Sequence, residues 1–196
     1  IGFFATLFAI LNLLDMGLSS TLNRQLACLS ALPGEAQEQR DLVRTLESIY
    51  WLTAVAVGFL LLLIAPYIAR YWVNVQNLPV STVTTAIFLM GLVFVFQFPF
   101  GLYQGGLMGL QRHVSLNSIL GVMAIVRNLG GVGVLLWISP TISAYFIWQF
   151  LCSAVQTILL GSCLWRALPP DPERPRFRKA SLQSVWRFAA GMTGIA

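Results

Sequence analysis

Long uncharged apolar runs alternate along the chain with short polar breaks, and the runs are too long for the helices of a water-soluble core. The clearest is 50–69 (YWLTAVAVGFLLLLIAPYIA), twenty residues without a charge. A helix needs roughly 20 apolar residues to cross about 30 Å of hydrocarbon. It must be a helix, because the membrane interior offers no water to an open backbone. Four further segments approach this standard: 1–23, interrupted by Asp15; 81–103, inside an uncharged stretch 71–111; 115–137, which carries Arg127 and Asn128; and 141–165, uncharged, just after Pro140. A sixth begins near Ser184. The pattern predicts an all-α polytopic transmembrane helical bundle of about five complete spans plus the start of another.

The breaks differ in kind. Residues 30–46 are polar and place Pro33-Gly34 ahead of Glu35, Glu38, Arg40, Asp41 and Arg44, which predicts a turn leading into a short amphipathic or capping helix at the membrane surface. Residues 109–113 allow only a tight turn. Residues 167–183 (ALPPDPERPRFRKASLQ) form a basic, proline-rich connector. The chain then divides into a transmembrane lobe over 1–166, the connector 167–183 and a truncated span over 184–196. Pro66 and Pro99 fall inside otherwise good spans, where proline is tolerated and often kinks the helix. Residue 1 is Ile and the final residues are turning apolar, so both ends are expected to lie in or beside spans of a longer protein.

Composition agrees with the pattern. Hydrophobic residues are 57% of the 196 and charged residues 10%, against about 25% charged in a soluble domain. The net charge of +5 could suggest nucleic acid, yet no aromatic-interleaved basic surface accompanies it. The basic residues follow the span pattern instead. Arg24, Arg40, Arg44, Arg112, Arg166, Arg174, Arg176, Arg178, Lys179 and Arg187 fall on one side, ten of the twelve, while Arg70 alone falls on the other. By the positive-inside rule the connections 24–48, 109–114 and 166–183 are expected to be cytoplasmic, in a multi-pass inner-membrane protein.

Polar residues inside the spans are the candidate chemistry. Asn12, Asp15, Ser19 and Asn23 recur at steps of three or four and so share one helix face. Asn117, Gly121, Ala124 and Asn128 form a second stripe, with Arg127 beside it; Tyr145, Gln149, Cys152 and Gln156 form a third. Gln97, Gln104 and Gln111 recur at intervals of seven. Such stripes suit either a polar cleft or interhelical hydrogen bonds in a static bundle. Charge inside a span costs about 3 kcal/mol on insertion scales and marks a pathway or a partner. Two main readings stand for Asp15 and Arg127: an ion pair across the bundle, or an Arg127 that faces a cleft and receives an anionic group of a substrate; a remaining one, which applies more readily to Asp15, is a place near a membrane end. Substrate-pathway candidates are Arg127, Asn128, Asp15, Arg24, Gln104 and Gln149.

Gly101, Gly105 and Gly109 make two successive GxxxG steps and are candidates for close helix packing. No metal site is expected, because Cys28, Cys152 and Cys163 follow no ligand spacing and His113 stands alone at a basic turn. No paired carboxylates, nucleophile elbow or phosphate loop appears. A transporter is expected rather than an enzyme.

Three passages carry a family resemblance: LNLLDMGLSSTLNRQLA (11–27), FPFGLYQGGLMGLQRHVSLN (98–117) and VWRFAAGMTGI (185–195). The chain resembles the polysaccharide-biosynthesis exporters, the O-antigen and lipid-linked oligosaccharide flippases of the multidrug/oligosaccharidyl-lipid/polysaccharide exporter superfamily. The resemblance implies most of one lobe of a two-lobe transporter, with the connector joining the lobes. It implies translocation of an undecaprenyl-diphosphate-linked oligosaccharide or polysaccharide precursor, as in lipopolysaccharide biosynthesis, by alternating access. Alternatives are export of drugs or other lipids by the same superfamily, or a non-transporting structural or assembly subunit. The resemblance places Asp15, Asn23 and Arg24 in one span motif, Gln104 and Gln111 in another and Arg127 in a third, and Arg127 suits a diphosphate best. Implied partners are the lipid-linked glycan, membrane lipids, a second lobe of the same chain and glycan polymerase or ligase machinery, with no nucleic acid. No cofactor is expected; coupling to an ion gradient or the membrane potential stands as a candidate energy source.

Overall fold

The computed structural model describes residues 15, 17–71, 80–173 and 175–177. These residues form an all-α bundle: α1 (Leu18–Ser30), α2 (Ala36–Tyr71), α3 (Val80–Gly109), α4 (His113–Gly133) and α5 (Ile142–Ala167). A π-helical stretch, Val134–Ile138, extends α4 to its turn with α5. Among the described residues four segments are long and apolar enough to cross a membrane: Ala36–Tyr67, Thr84–Gly109, His113–Ile138 and Ile142–Ala167. The described part of the chain is thus a multi-span helical membrane protein. The expected span 1–23 lies mostly outside the described residues, as do 178–196. Its described end continues helically to Ser30.

The largest departure from the sequence reading concerns 30–46. No separate surface helix forms; residues 36–49 and the span after them are one 36-residue helix. The turn itself falls where Pro33-Gly34 predicts it, at 31–35, and Gly34 adopts φ 91°, a left-handed conformation open to glycine at little cost. Polar residues continue the helix because they bond along it: Gln37 Nε2 donates to Asp41 Oδ1 at 2.9 Å and Arg44 pairs with Glu47 at 3.0 Å. These are the i,i+4 and i,i+3 spacings at which side chains meet on a helix.

α3 is the hub, packing against α2, α5 and α1, whereas α4 rests mainly on α5. Leu42, Leu46, Tyr50 and Ala54 present one face of α2 to Phe94, Phe98 and Leu102 of α3, with Leu160 and Leu164 of α5 and Leu22 and Leu26 of α1 completing the core. Outward residues such as Leu52, Phe59, Leu63 and Leu136 are exposed, as lipid-facing positions require. In lipid the association rests on van der Waals packing and interhelical hydrogen bonds. A Cβ on Gly105 would lie 2.5 Å from the Ser19 carbonyl oxygen, and one on Gly109 would lie 2.5 Å from that of Asn23. Only glycine lets α1 and α3 approach so closely. Gly101 differs, since its Cβ would meet nothing nearer than Asp15 Oδ1 at 4.0 Å.

Both prolines sit within continuous helix. Pro99 has no N–H to give the backbone ladder, and one residue beyond that gap Thr157 Oγ1 donates to the Phe96 carbonyl at 2.6 Å. That bond ties α5 to α3 beside the polar cavities. The 109–113 turn is closed by Arg112 N to Leu107 O at 2.9 Å and Gln111 N to Met108 O at 3.0 Å. This is a Schellman motif, with Gln111 at φ 56° in the position glycine usually takes.

Candidate functional site

Asp15 stands just ahead of α1, with its two carboxylate oxygens engaged on different elements. Ser19 Oγ donates to Oδ2 at 2.7 Å, one helical turn on, and the Tyr50 hydroxyl of α2 donates to Oδ1. Tyr50 is 1% exposed, so this bond lies within the bundle. Asp15 and Ser19 open onto a cavity of about 400 Å³ whose other walls are Gln97, Phe98, Phe100, Gly101 and Gln104 of α3.

A second cavity, about 80 Å³, is lined by Gln97, Phe100, Arg127, Ser153, Gln156 and Thr157. It has room for about two or three waters at roughly 30 Å³ each. Gln97 and Phe100 line both cavities. The acidic and cationic compartments are therefore neighbours, divided by one face of α3.

Asp15 and Arg127 do not pair. Arg127 Nη2 donates to Gln156 Oε1 at 2.8 Å and to Ser153 Oγ at 3.3 Å. Its Nε is buried with no hydrogen-bond partner. Among the described residues no carboxylate pairs with Arg127. Arg127 is thus a cation inside a span held by neutral oxygens. A guanidinium has five N–H donors, and these contacts leave donors and the full charge for a ligand.

The placement of Arg127 is set by α5. Trp148 Nε1 donates to the Arg127 carbonyl at 3.2 Å. The indole lies where a Cβ on Gly130 would be, so glycine at 130 is what admits it. This accounts for a tryptophan well inside a span, away from the interfacial belt.

The remaining candidates fall elsewhere. Gln104 lines the larger cavity. Asn128 is exposed, and its Nδ2 donates back to the Ala124 carbonyl at 2.8 Å. Gln149 is half-buried on α5 and Arg24 exposed on α1; neither lines these two cavities. Tyr50, Phe100, Ser153 and Thr157 were not among the candidates. Gln156 lay on the 145/149/152/156 stripe and Gln97 in the seven-residue glutamine recurrence, so both had a signal. Ser153 and Thr157 had none, because small hydroxyls are common in spans and gain meaning only from what faces them.

No family model, curated protein or solved structure matches the chain. The functional reading therefore rests on the site's chemistry and on the sequence resemblance. Among the described residues no group of His, Cys, Asp and Glu is placed to hold a metal. The three cysteines are free.

Proposed function

We propose that this chain is part of a flippase that carries a lipid-linked, diphosphate-bearing oligosaccharide across the inner membrane, with Arg127 receiving the anionic head group. The carrying observation is Arg127 itself, a span-embedded cation on a cavity with only neutral oxygens as partners and a buried, unpartnered Nε. Keeping such a charge in a span costs about 3 kcal/mol, a cost that a bound anion offsets. Arginine's planar fork matches phosphate oxygens in pairs, which an ammonium does not.

The roles divide by compartment. Arg127 neutralises the diphosphate; Ser153 and Gln156 aim the guanidinium and hydrate the space around it. Gln97 and Gln104 offer amide groups along the neighbouring cavity for the polar remainder of the substrate. The basic end of the bundle faces the cytoplasm in this reading, and transport needs a second helical unit to close the cleft. A second reading, export of a cationic amphiphile by the same bundle, takes its support from the Asp15 carboxylate on the larger cavity.

The test is flipping of a fluorescent polyprenyl-diphosphate glycan by the intact protein in proteoliposomes. Arg127→Ala is expected to lower the rate at least about tenfold and Arg127→Lys to restore part of it, since charge is kept and the fork is lost. Unchanged flipping in both variants removes Arg127 from the mechanism.

A further inference from the structure

At the basic end of the bundle the chain leaving α5 does not project into solvent. Residues 168–173 and 175–177 lie against the first turns of α2. The backbone N–H of Arg176 donates to Asp41 Oδ1 at 2.7 Å, across 135 positions of sequence. Asp41 is 0% exposed, so the strap and the helix bury this carboxylate between them. Seven residues earlier, Arg40 Nη1 donates to the Pro169 carbonyl at 3.3 Å. Leu168 itself is buried in the core cluster. Pro169, Pro170, Pro172 and Pro175 stiffen the segment, and a proline-rich strand loses little conformational freedom on docking.

The same arginine reaches a second network. Its guanidinium sits 5.7 Å from the ring centroid of Trp165. Trp165 Nε1 donates to Glu47 Oε1 at 3.2 Å, and the Tyr103 hydroxyl donates to that same oxygen at 2.7 Å. Trp51 Nε1 donates to the Tyr103 hydroxyl at 3.1 Å. Glu47, 8% exposed, therefore knots α2, α3 and α5 together at one point. Arg40 joins this knot to the strap, because its guanidinium lies over the tryptophan ring and its Nη1 holds the Pro169 carbonyl.

We propose that residues 168–173 and 175–177 act as a releasable strap that locks the basic ends of α2 and α5 together, so that these ends separate only when Arg176 leaves Asp41 and Arg40 leaves Pro169. Beyond buried Leu168 the described strap residues are exposed or half-buried, and they meet α2 through the Pro169 carbonyl and the Arg176 amide, which suits an element that docks and undocks. Its action does not depend on what Arg127 binds.

Two measurements on the intact protein in nanodiscs test it. In hydrogen exchange, the Arg176 amide is expected to exchange at least about tenfold more slowly than in an excised peptide of residues 166–180; exchange at the peptide rate overturns docking. For locking, spin labels at exposed Glu38 on α2, nine residues before Glu47 of the knot, and at exposed Arg166 on α5, introduced as cysteines after the native cysteines are replaced, report the separation of the two ends. Arg176→Pro removes the donated N–H at an exposed loop position, whereas Arg176→Ala keeps it. Arg176→Pro is expected to broaden and lengthen the distance distribution while Arg176→Ala leaves it narrow. Identical distributions in the two variants overturn the lock.

Discussion

Alanine at Gly105 or Gly109 should pry α1 from α3, whereas alanine at Gly101, one step along the same stripe, should not. At 105 and 109 the new methyl would sit 2.5 Å from a backbone carbonyl oxygen, where ordinary contact starts at 3.4 Å. No rotamer change relieves this, because the obstructing atoms are backbone. α1 must retreat by about 0.9 Å along the line of contact, and a gap of 0.5–1 Å forfeits a quarter to a half of each dispersion contact. Thr21, Leu22 and Leu26 are all 0% exposed and lie on the face that would lose those contacts. Overpacking of this kind costs about 1–3 kcal/mol. One retreat of α1 relieves both clashes, so the double variant should cost little more than either single, a clear departure from additivity. A thiol-reactive dye in detergent reads the effect on the intact protein with exposed Cys28 and half-buried Cys163 replaced by serine, since Cys152 is 3% exposed and reacts on unfolding. The expected order of apparent melting temperatures is wild type close to Gly101→Ala, then Gly105→Ala, Gly109→Ala and the double variant grouped below. A Gly101→Ala loss equal to that of Gly105→Ala refutes the close-approach argument.

Further consequences follow from single contacts. Gln111→Gly should stabilise the protein by about 0.5–1 kcal/mol, because Gln111 holds φ 56° at a helix C-terminus; denaturant titration checks it, and a loss would contradict the strain. Gly130→Ala should displace Trp148 and cost about 1–3 kcal/mol. Gly121→Ala, with nothing within 4 Å of its Cβ, should be near neutral; equal effects on melting temperature would exclude the Trp148 seat. Glu47→Gln and Tyr103→Phe should together cost less than their separate costs summed, since they share the 2.7 Å bond; simple additivity in unfolding free energy would deny that the knot acts as a unit.

Hydropathy made the spans legible because lipid imposes both their length and their helicity. It placed the turn at Pro33-Gly34 but separated the helix after it from the next span, because a helix leaving the membrane keeps its backbone bonds while its side chains turn polar, as Gln37, Asp41, Arg44 and Glu47 do. Arg127 was legible as a charge out of place. Its partners were half legible: Gln156 lay on a polar stripe, whereas Ser153 gave no sign. Asp15 and Arg127 left two readings from sequence alone, and tertiary placement removes the ion pair by giving Asp15 to Tyr50, 35 residues away, and Arg127 to α5. The dual role of Phe100 arises from helix packing alone, since nothing in an apolar run marks which phenylalanine separates two cavities.

In the proposed mechanism Arg127 is the anion-receiving group inside the bundle. Affinity of the intact protein for a polyprenyl diphosphate against the uncharged polyprenol tests it most directly, in the wild type and in Arg127→Gln. The wild type is expected to prefer the diphosphate by about tenfold or more, as one charge-assisted contact of about 1.5–3 kcal/mol supplies, and Arg127→Gln should erase that preference while leaving polyprenol binding unchanged. A preference for the diphosphate that survives Arg127→Gln would contradict it.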